Sequence, residues 1–305
     1  MPCRTLRELV HRAHQANSRI SDIMLAMEQD ESGLTPDVIR ARMASHFEVM
    51  ERAVRSGVES VHRSRTNLIG GDAIKLMQYT QRPSALRLGA LNSVSLTAMA
   101  YAMAVSEINA SMGQIVATPT AGAAGILPGV LVALLDAGQI DRDQVVDGLL
   151  TAAAVGMVIA NAASISGAQG GCQAEVGSAT AMTAAAVVEL GGGSPQEAIE
   201  AVGLALTNSL GLVCDPVAGL VEVPCLYRNG LHAVAALASA ECALAGIEGV
   251  IPPDEVIGAM DDIGNQLPMS LRETGLGGLA ATATGKRLRR EILGDLGDLP
   301  EKEEA

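Results

Sequence analysis

The sequence predicts an all-α fold, a multi-helix bundle whose buried helices meet through small side chains. Three observations predict it. Hydrophobic residues make up 49 % of the 305 positions, yet there is one Phe, no Trp and three Tyr. With so few large rings, the core has to be filled by helices that approach closely over Ala and Gly. Residues 108–135 and 148–174 carry no charge, as suits helices buried on all sides. No stretch alternates apolar and polar residues as a half-buried strand would.

The elements follow in order. TLRE at 5–8 fits a capping box, and a helix is expected from there to about Met27. TPDV at 35–38 opens a second, with Pro36 in the first turn and Ile39, Met43, Phe47, Met50 and Val54 at helical spacing. Both have charged outer faces, so residues 1–64 read as a helical arm, a surface layer or an interface. RTNLIGGDAIKL (65–76) breaks the pattern, and Pro83-Ser84 starts a helix through about Ser106. NASMGQIVATPTAGAAGILPGV (109–130) is dense in Gly, Pro, Ser and Thr. Further helices are expected at 142–163, 173–190, 194–209, 230–246 and 253–265, the third opened by the cap SPQE. The tail from Gly285 to EKEEA is charged and expected to fray. No repeat or linker divides the chain, so residues 1–305 read as one domain.

The net charge of −13 is concentrated in the second part. Residues 1–100 hold 13 Lys/Arg against 10 Asp/Glu, and residues 101–305 hold 8 against 24. An acidic chain without aromatic and basic residues interleaved argues against nucleic acid as a partner. The two uncharged stretches exceed the roughly 20 residues that span a bilayer. Pro119, Pro128 and several glycines interrupt them, and no aromatic belt or basic cluster flanks them. No membrane span is therefore expected. Five cysteines and the charged start MPCRTLRELV favour a reducing, cytoplasmic setting.

The cysteines carry the chemistry. NSLGLVCDPVAGLVEVPCLYRN (208–229) sets Cys214 and Cys225 beside Pro216 and Pro224, which places both sulfurs on irregular backbone. SGAQGGCQAEVGSA (166–179) puts Cys172 at the start of a helix, where thiolate is favoured. Cys242, inside HAVAALASAECALAG, reads as a small core residue, and Cys3 as a free thiol in a loose terminus. Three thiolates suit zinc or an iron–sulfur cluster with one iron left unligated, and spacings of 42 and 11 do not separate the two.

The segments NASMGQIVATPTAGAAGILPG, GCQAEVGSA, LGLVCDPVAGLVEVPC and RETGLGGLA occur in that order. Together they resemble the iron–sulfur-dependent L-serine dehydratase family, and most closely the alpha chain of its two-chain type. The likeness runs from about residue 65 through most of the chain. It implies a [4Fe–4S] cluster on Cys172, Cys214 and Cys225, and no pyridoxal phosphate. It implies elimination of water from L-serine to give pyruvate and ammonia, within amino-acid catabolism and gluconeogenesis. It also implies substrate contacts over Asn109, Ser111, Met112, Gly113, Pro119, Thr120, Ala121 and Gly122, with Thr118 a further hydroxyl. No Lys or Arg lies between Arg87 and Arg142, so such a loop would hold a carboxylate by backbone N–H groups and hydroxyls.

Lys75, in GGDAIK, is the candidate base, with His62 and His232 behind it. The family's Ser-rich histidine motif lies in its beta domain and has no counterpart here. That implies a beta chain that supplies a catalytic histidine, with the site at their interface. Gln169 is a departure, since the family often has an acidic residue there. Two other readings stand beside this one: a cysteine desulfidase-like lyase, and a zinc-binding structural or regulatory subunit.

Overall fold

The structure is a computed structural model and describes residues 3–81 and 93–294. The described residues are helical, with turns between the helices. The pairing outside helices is one parallel bridge, Cys214 with Arg272. The expected start of a helix at Pro83 and the charged end of the chain lie outside the described residues.

The first expected helix is two. α1 (Leu6–Ala16) ends at Asn17 in the left-handed conformation, and α2 (Ile20–Ser32) follows. Thr5 caps α1 as expected, but Glu8 reaches back to the Arg4 N–H. α3 (Pro36–Glu59) begins at Pro36 as predicted. These helices are built into the main core, where Leu6, Leu9, Ile20, Phe47, Met50 and Val54 are buried. Two acids fasten them. Asp254 accepts the Leu6 and Arg7 N–H groups, and Glu189 accepts those of Ile20 and Ser21. Cys3, expected in a loose end, is fully buried with its thiol against Met27 Sδ at 3.7 Å.

α4 (Asp72–Thr80) occupies part of the segment expected to break the pattern. The left-handed Gly71 turns the chain, and Glu107 accepts the Asp72 N–H to start the helix. α5 (Ser93–Ala110) then crosses α6 (Ile126–Asp136), α3 and α4. A Cβ on Gly129 would stand 2.6 Å from the Ala102 backbone nitrogen, so α5 and α6 touch backbone to backbone. α6 lies at the end of the Gly- and Pro-rich stretch, inside the uncharged run 108–135 expected to be buried helix, although no start was assigned to it. Its residues Ile126–Leu134 are all buried.

α7 (Arg142–Ala162) opens with an Asp141–Gln144 capping box. It is the one described helix long and apolar enough to cross a bilayer, and it packs on α2, α3 and α9. The short turn α8 (Gly167–Gly170) leads through Cys172 and a π-helical turn at Gln173–Gly177 into α9 (Ser178–Leu190). α10 (Pro195–Thr207) carries the predicted Ser194–Glu197 box. α11 (Cys225–Leu244) begins at the cysteine itself, earlier than expected, with the Leu226 N–H taken by Glu222 O and the Arg228 N–H by Pro224 O. α12 (Pro253–Gln266) follows as predicted. α13 (Ala283–Leu293), capped by Thr282, replaces part of the fraying tail.

Candidate metal centre

Three irregular segments meet where α9 and α11 begin. The turn at α8 delivers Cys172, the extended backbone at 213–215 delivers Cys214, and the first residue of α11 is Cys225. All three thiols are buried. Cys214 is fixed by its bridge, donating N–H to Leu271 O at 2.8 Å and accepting from Glu273 N at 2.8 Å. Irregular backbone was the expectation for both later cysteines. It holds for Cys214, and Cys225 instead starts a helix.

The tightest group is two sulfurs and a carboxylate. The ligand atoms of Cys172, Glu175 and Cys214 all lie within 4.8 Å of one another. Cys225 stands outside that group, near enough to feel the charges of Cys172 and Glu175. Glu175 was not anticipated. Three residues beyond Cys172, it falls on the inward side of the π-helical turn, which a regular helical reading does not place. Its Oε1 lies 3.9 Å from Cys214 Sγ, and its Oε2 accepts the hydroxyl of Thr120. Burial pushes its carboxyl pKa up.

A neighbouring cation supports the thiols. Arg228, on the first turn of α11, donates to Cys172 Sγ at 3.2 Å, to Val213 O at 2.8 Å and to Asp215 at 2.9 Å. The Cys214 hydrogen bond and the Arg228 charge hold Cys172 below the usual thiol range against the effect of burial. Cys214 is raised by its bond to Cys172 and by burial, and Cys225 chiefly by burial. Of the three thiols, Cys172 is the one whose surroundings favour the thiolate, the form that ligates metal.

The loop resembling a substrate segment adjoins this group. Thr120 reaches Glu175, and a Cβ on Gly122 would lie 3.0 Å from the same carboxylate. Asn229 ties loop to thiol. Its Nδ2 donates to Gly122 O at 2.7 Å and Cys225 O at 2.9 Å, while its Oδ1 accepts from Gly125 N at 2.9 Å. Asn109 donates to Ala121 O at 3.3 Å. Pro119 follows a cis bond, and the Thr118 hydroxyl is buried without a partner. Ser111, Met112 and Gly113 lie apart, at the end of α5, where they line a cavity of about 700 Å³ with His62. The Met112 side chain is exposed on a left-handed backbone.

Lys75 is not among the thiols. It is exposed on α4, paired with Asp72 at 2.7 Å, and this pairing raises its pKa. His62 bonds Ser56 and Ser60, and His232 bonds Arg228 O. Gln169 is exposed and accepts from Ser164. Cys242 is half-buried in α11.

A family model described as Serine dehydratase alpha chain matches residues 15–280. A probable L-serine dehydratase alpha chain of Bacillus subtilis is 50 % identical over 291 residues, covering 95 % of each chain. The L-serine dehydratase alpha chain of Peptoniphilus asaccharolyticus is 41 % identical, over 95 % of this chain and 98 % of its own. The L-serine dehydratase of Streptomyces coelicolor is 39 % identical over 92 % of this chain, which spans 61 % of that longer protein.

Proposed function

The chain belongs to the serine dehydratase alpha-chain family, and from that premise we propose that it is the alpha subunit of an L-serine dehydratase. The reaction is β-elimination of water from L-serine. The resulting aminoacrylate tautomerises and hydrolyses to pyruvate and ammonia. One observation carries the proposal: Glu175 joins the buried pair Cys172–Cys214 to the Thr120–Gly122 loop.

The donor set fits a [4Fe–4S] cluster. Two buried sulfurs are neighbours, a third begins the adjacent helix, and the missing side chain of Gly167 lets Glu175 and Cys214 pack against its backbone. A Cβ there would collide with Glu175 and stand 3.1 Å from Cys214 Sγ. Cys172, Cys214 and Cys225 would hold the cluster. When bound, it supplies a Lewis-acidic iron that assists departure of the serine hydroxyl.

The chain's own residues do the rest. Arg228 favours the thiolate form of Cys172 and holds the 213–215 segment in place through Val213 O and Asp215. Asn229 locks Gly122 and Gly125 against the first turn of α11, so the loop is set before substrate arrives. Thr120 and the small residues Ala121 and Gly122 orient the serine carboxylate through backbone and hydroxyl groups, and Asn109 supports them through Ala121 O. Ser111, Met112 and Gly113 hold the far end of that loop. Lys75 keeps its proton beside Asp72, which makes it a poor base. Removal of the α-proton is assigned to a beta chain, with catalysis in the joint site.

The test is anaerobic reconstitution of the chain with and without its beta chain, scored by iron, labile sulfide and pyruvate formed. Iron and sulfide near four each per chain, turnover that needs both chains, and loss of both on Cys214→Ala are expected. Zinc without iron or sulfide would sink the reading, as would turnover of cysteine in preference to serine.

A further inference from the structure

The signature RETGLGGLA begins with a residue that the thiol site does not use. Arg272 pairs with Cys214 through the backbone, and it also lines a cavity of about 620 Å³ beside α8. The walls include Ser164, Ser166, Gln169, Asp261 and Asn265. The Arg272 Nε is buried and has no hydrogen-bond partner. Among the described residues, neither Arg272 nor Asp261 forms an ion pair. Asp261 accepts one bond, from Asn265 Nδ2 at 3.1 Å.

A guanidinium and a carboxylate on one cavity wall, each lacking an ionic partner, match a ligand that brings both charges. Arginine takes a carboxylate through its planar fork, and aspartate takes an ammonium. The hydroxyls of Ser164 and Ser166 and the amide of Gln169 add neutral bonding groups, and the small Ala168 and Gly170 leave room. We propose that this cavity binds the zwitterion of a small α-amino acid, at a site separate from the thiols. The proposal goes beyond the lyase reading. It needs neither cluster nor beta chain, so the two can fail independently.

The experiment is calorimetric titration of the full chain with L-alanine, which lacks the hydroxyl that elimination would expel. Saturable binding of one equivalent is expected. Propionate and ethylamine, each carrying one of the two charges, should bind at least about tenfold more weakly. Arg272→Gln and Asp261→Asn should each weaken alanine by a similar factor, while Arg272→Lys, which keeps the charge, loses less. Circular dichroism checks that each variant folds. Absence of saturable heat with the wild-type chain would overturn the proposal. So would propionate binding as tightly as alanine, or affinity indifferent to both charge-removing variants.

Discussion

Gly167 and Arg228 act on the thiols in opposite ways, one by what it lacks and one by what it supplies. Alanine at 167 puts a methyl group into Glu175 and against Cys214 Sγ. Overpacking of this kind costs about 1–3 kcal/mol. Here it also displaces the group that would receive iron. Gly167→Ala is expected to fold, melt a few degrees lower and take up less than half the wild-type iron on reconstitution, as measured by metal analysis. Among the described residues, Arg228 and Asp215 form the most buried ion pair, with side chains 14 % and 5 % exposed. Removing one partner of a buried pair costs about 3–5 kcal/mol. Arg228→Ala should lose about that much in urea unfolding, whereas Arg228→Lys should keep part of the stability but lose the fork that spans Asp215 and Val213. Lys75 supplies the contrast at this scale. Exposed and paired only with Asp72, it should tolerate Lys75→Ala with turnover reduced less than about tenfold, where a general base would cost about 100-fold or more.

Helices position these residues, and their caps decide how firmly. α4 starts where the Glu107 carboxylate meets its first N–H groups, with the other oxygen of Glu107 buried and unpartnered. Burial raises the Glu107 pKa above 4.5, and the helix N–H groups only partly offset it. A raised carboxyl contributes stability below its unfolded pKa and loses it as pH rises through the folded value. Glu107→Gln keeps an oxygen for the Asp72 N–H and cannot ionise. Its urea midpoint should change less between pH 5 and pH 8 than that of the wild type; an unchanged pH dependence would rule the residue out as its source. α11 depends on Asn229 in a different way, since backbone groups of Gly122, Gly125 and Cys225 meet one side chain. Asn229→Ala leaves the buried Gly125 N–H without its partner, at about 1–3 kcal/mol, and should free the 122–125 loop to exchange amide hydrogen faster. Much of this scale was legible in the sequence. Thr5, Pro36 and Ser194 open helices by local capping chemistry, which the sequence displays directly. α4 was not legible, because a partner far along the chain, Glu107, starts it. For α6 the buried character was legible but the start was not, since the close approach to the Ala102 backbone sets it. The same distinction runs through the site. Cys172, Cys214 and Cys225 announced themselves by residue type and by glycine and proline beside them. Glu175 and Arg228 joined them only through a π-helical turn and the early start of α11.

Across the whole molecule, the apolar core and the thiol group are separate bodies of contacts. The main core gathers buried residues from α1 through α12, and none of the three thiols belongs to it. Cys172 and Cys214 pack instead in a small cluster with Ala123, Ile126, Val176 and Ala179. Loss of bound iron should therefore loosen the segments that converge on the thiols and leave the bundle folded. The expected result of removing iron by chelation is faster hydrogen exchange over residues 166–175, 211–225 and 270–279. Protection in α5, α7 and α9 should stay as it was, and the far-UV spectrum should not change. Leu131→Ala, at a fully buried position in α6, sets the opposite case. It removes a side chain from the main core and should cost about 2–5 kcal/mol. That loss should appear as a lower melting temperature, while iron content at 25 °C remains that of the wild type. If chelation instead removed protection throughout the bundle, the centre would be a structural keystone of the fold. The separation of core from thiols would then not describe how the chain holds together.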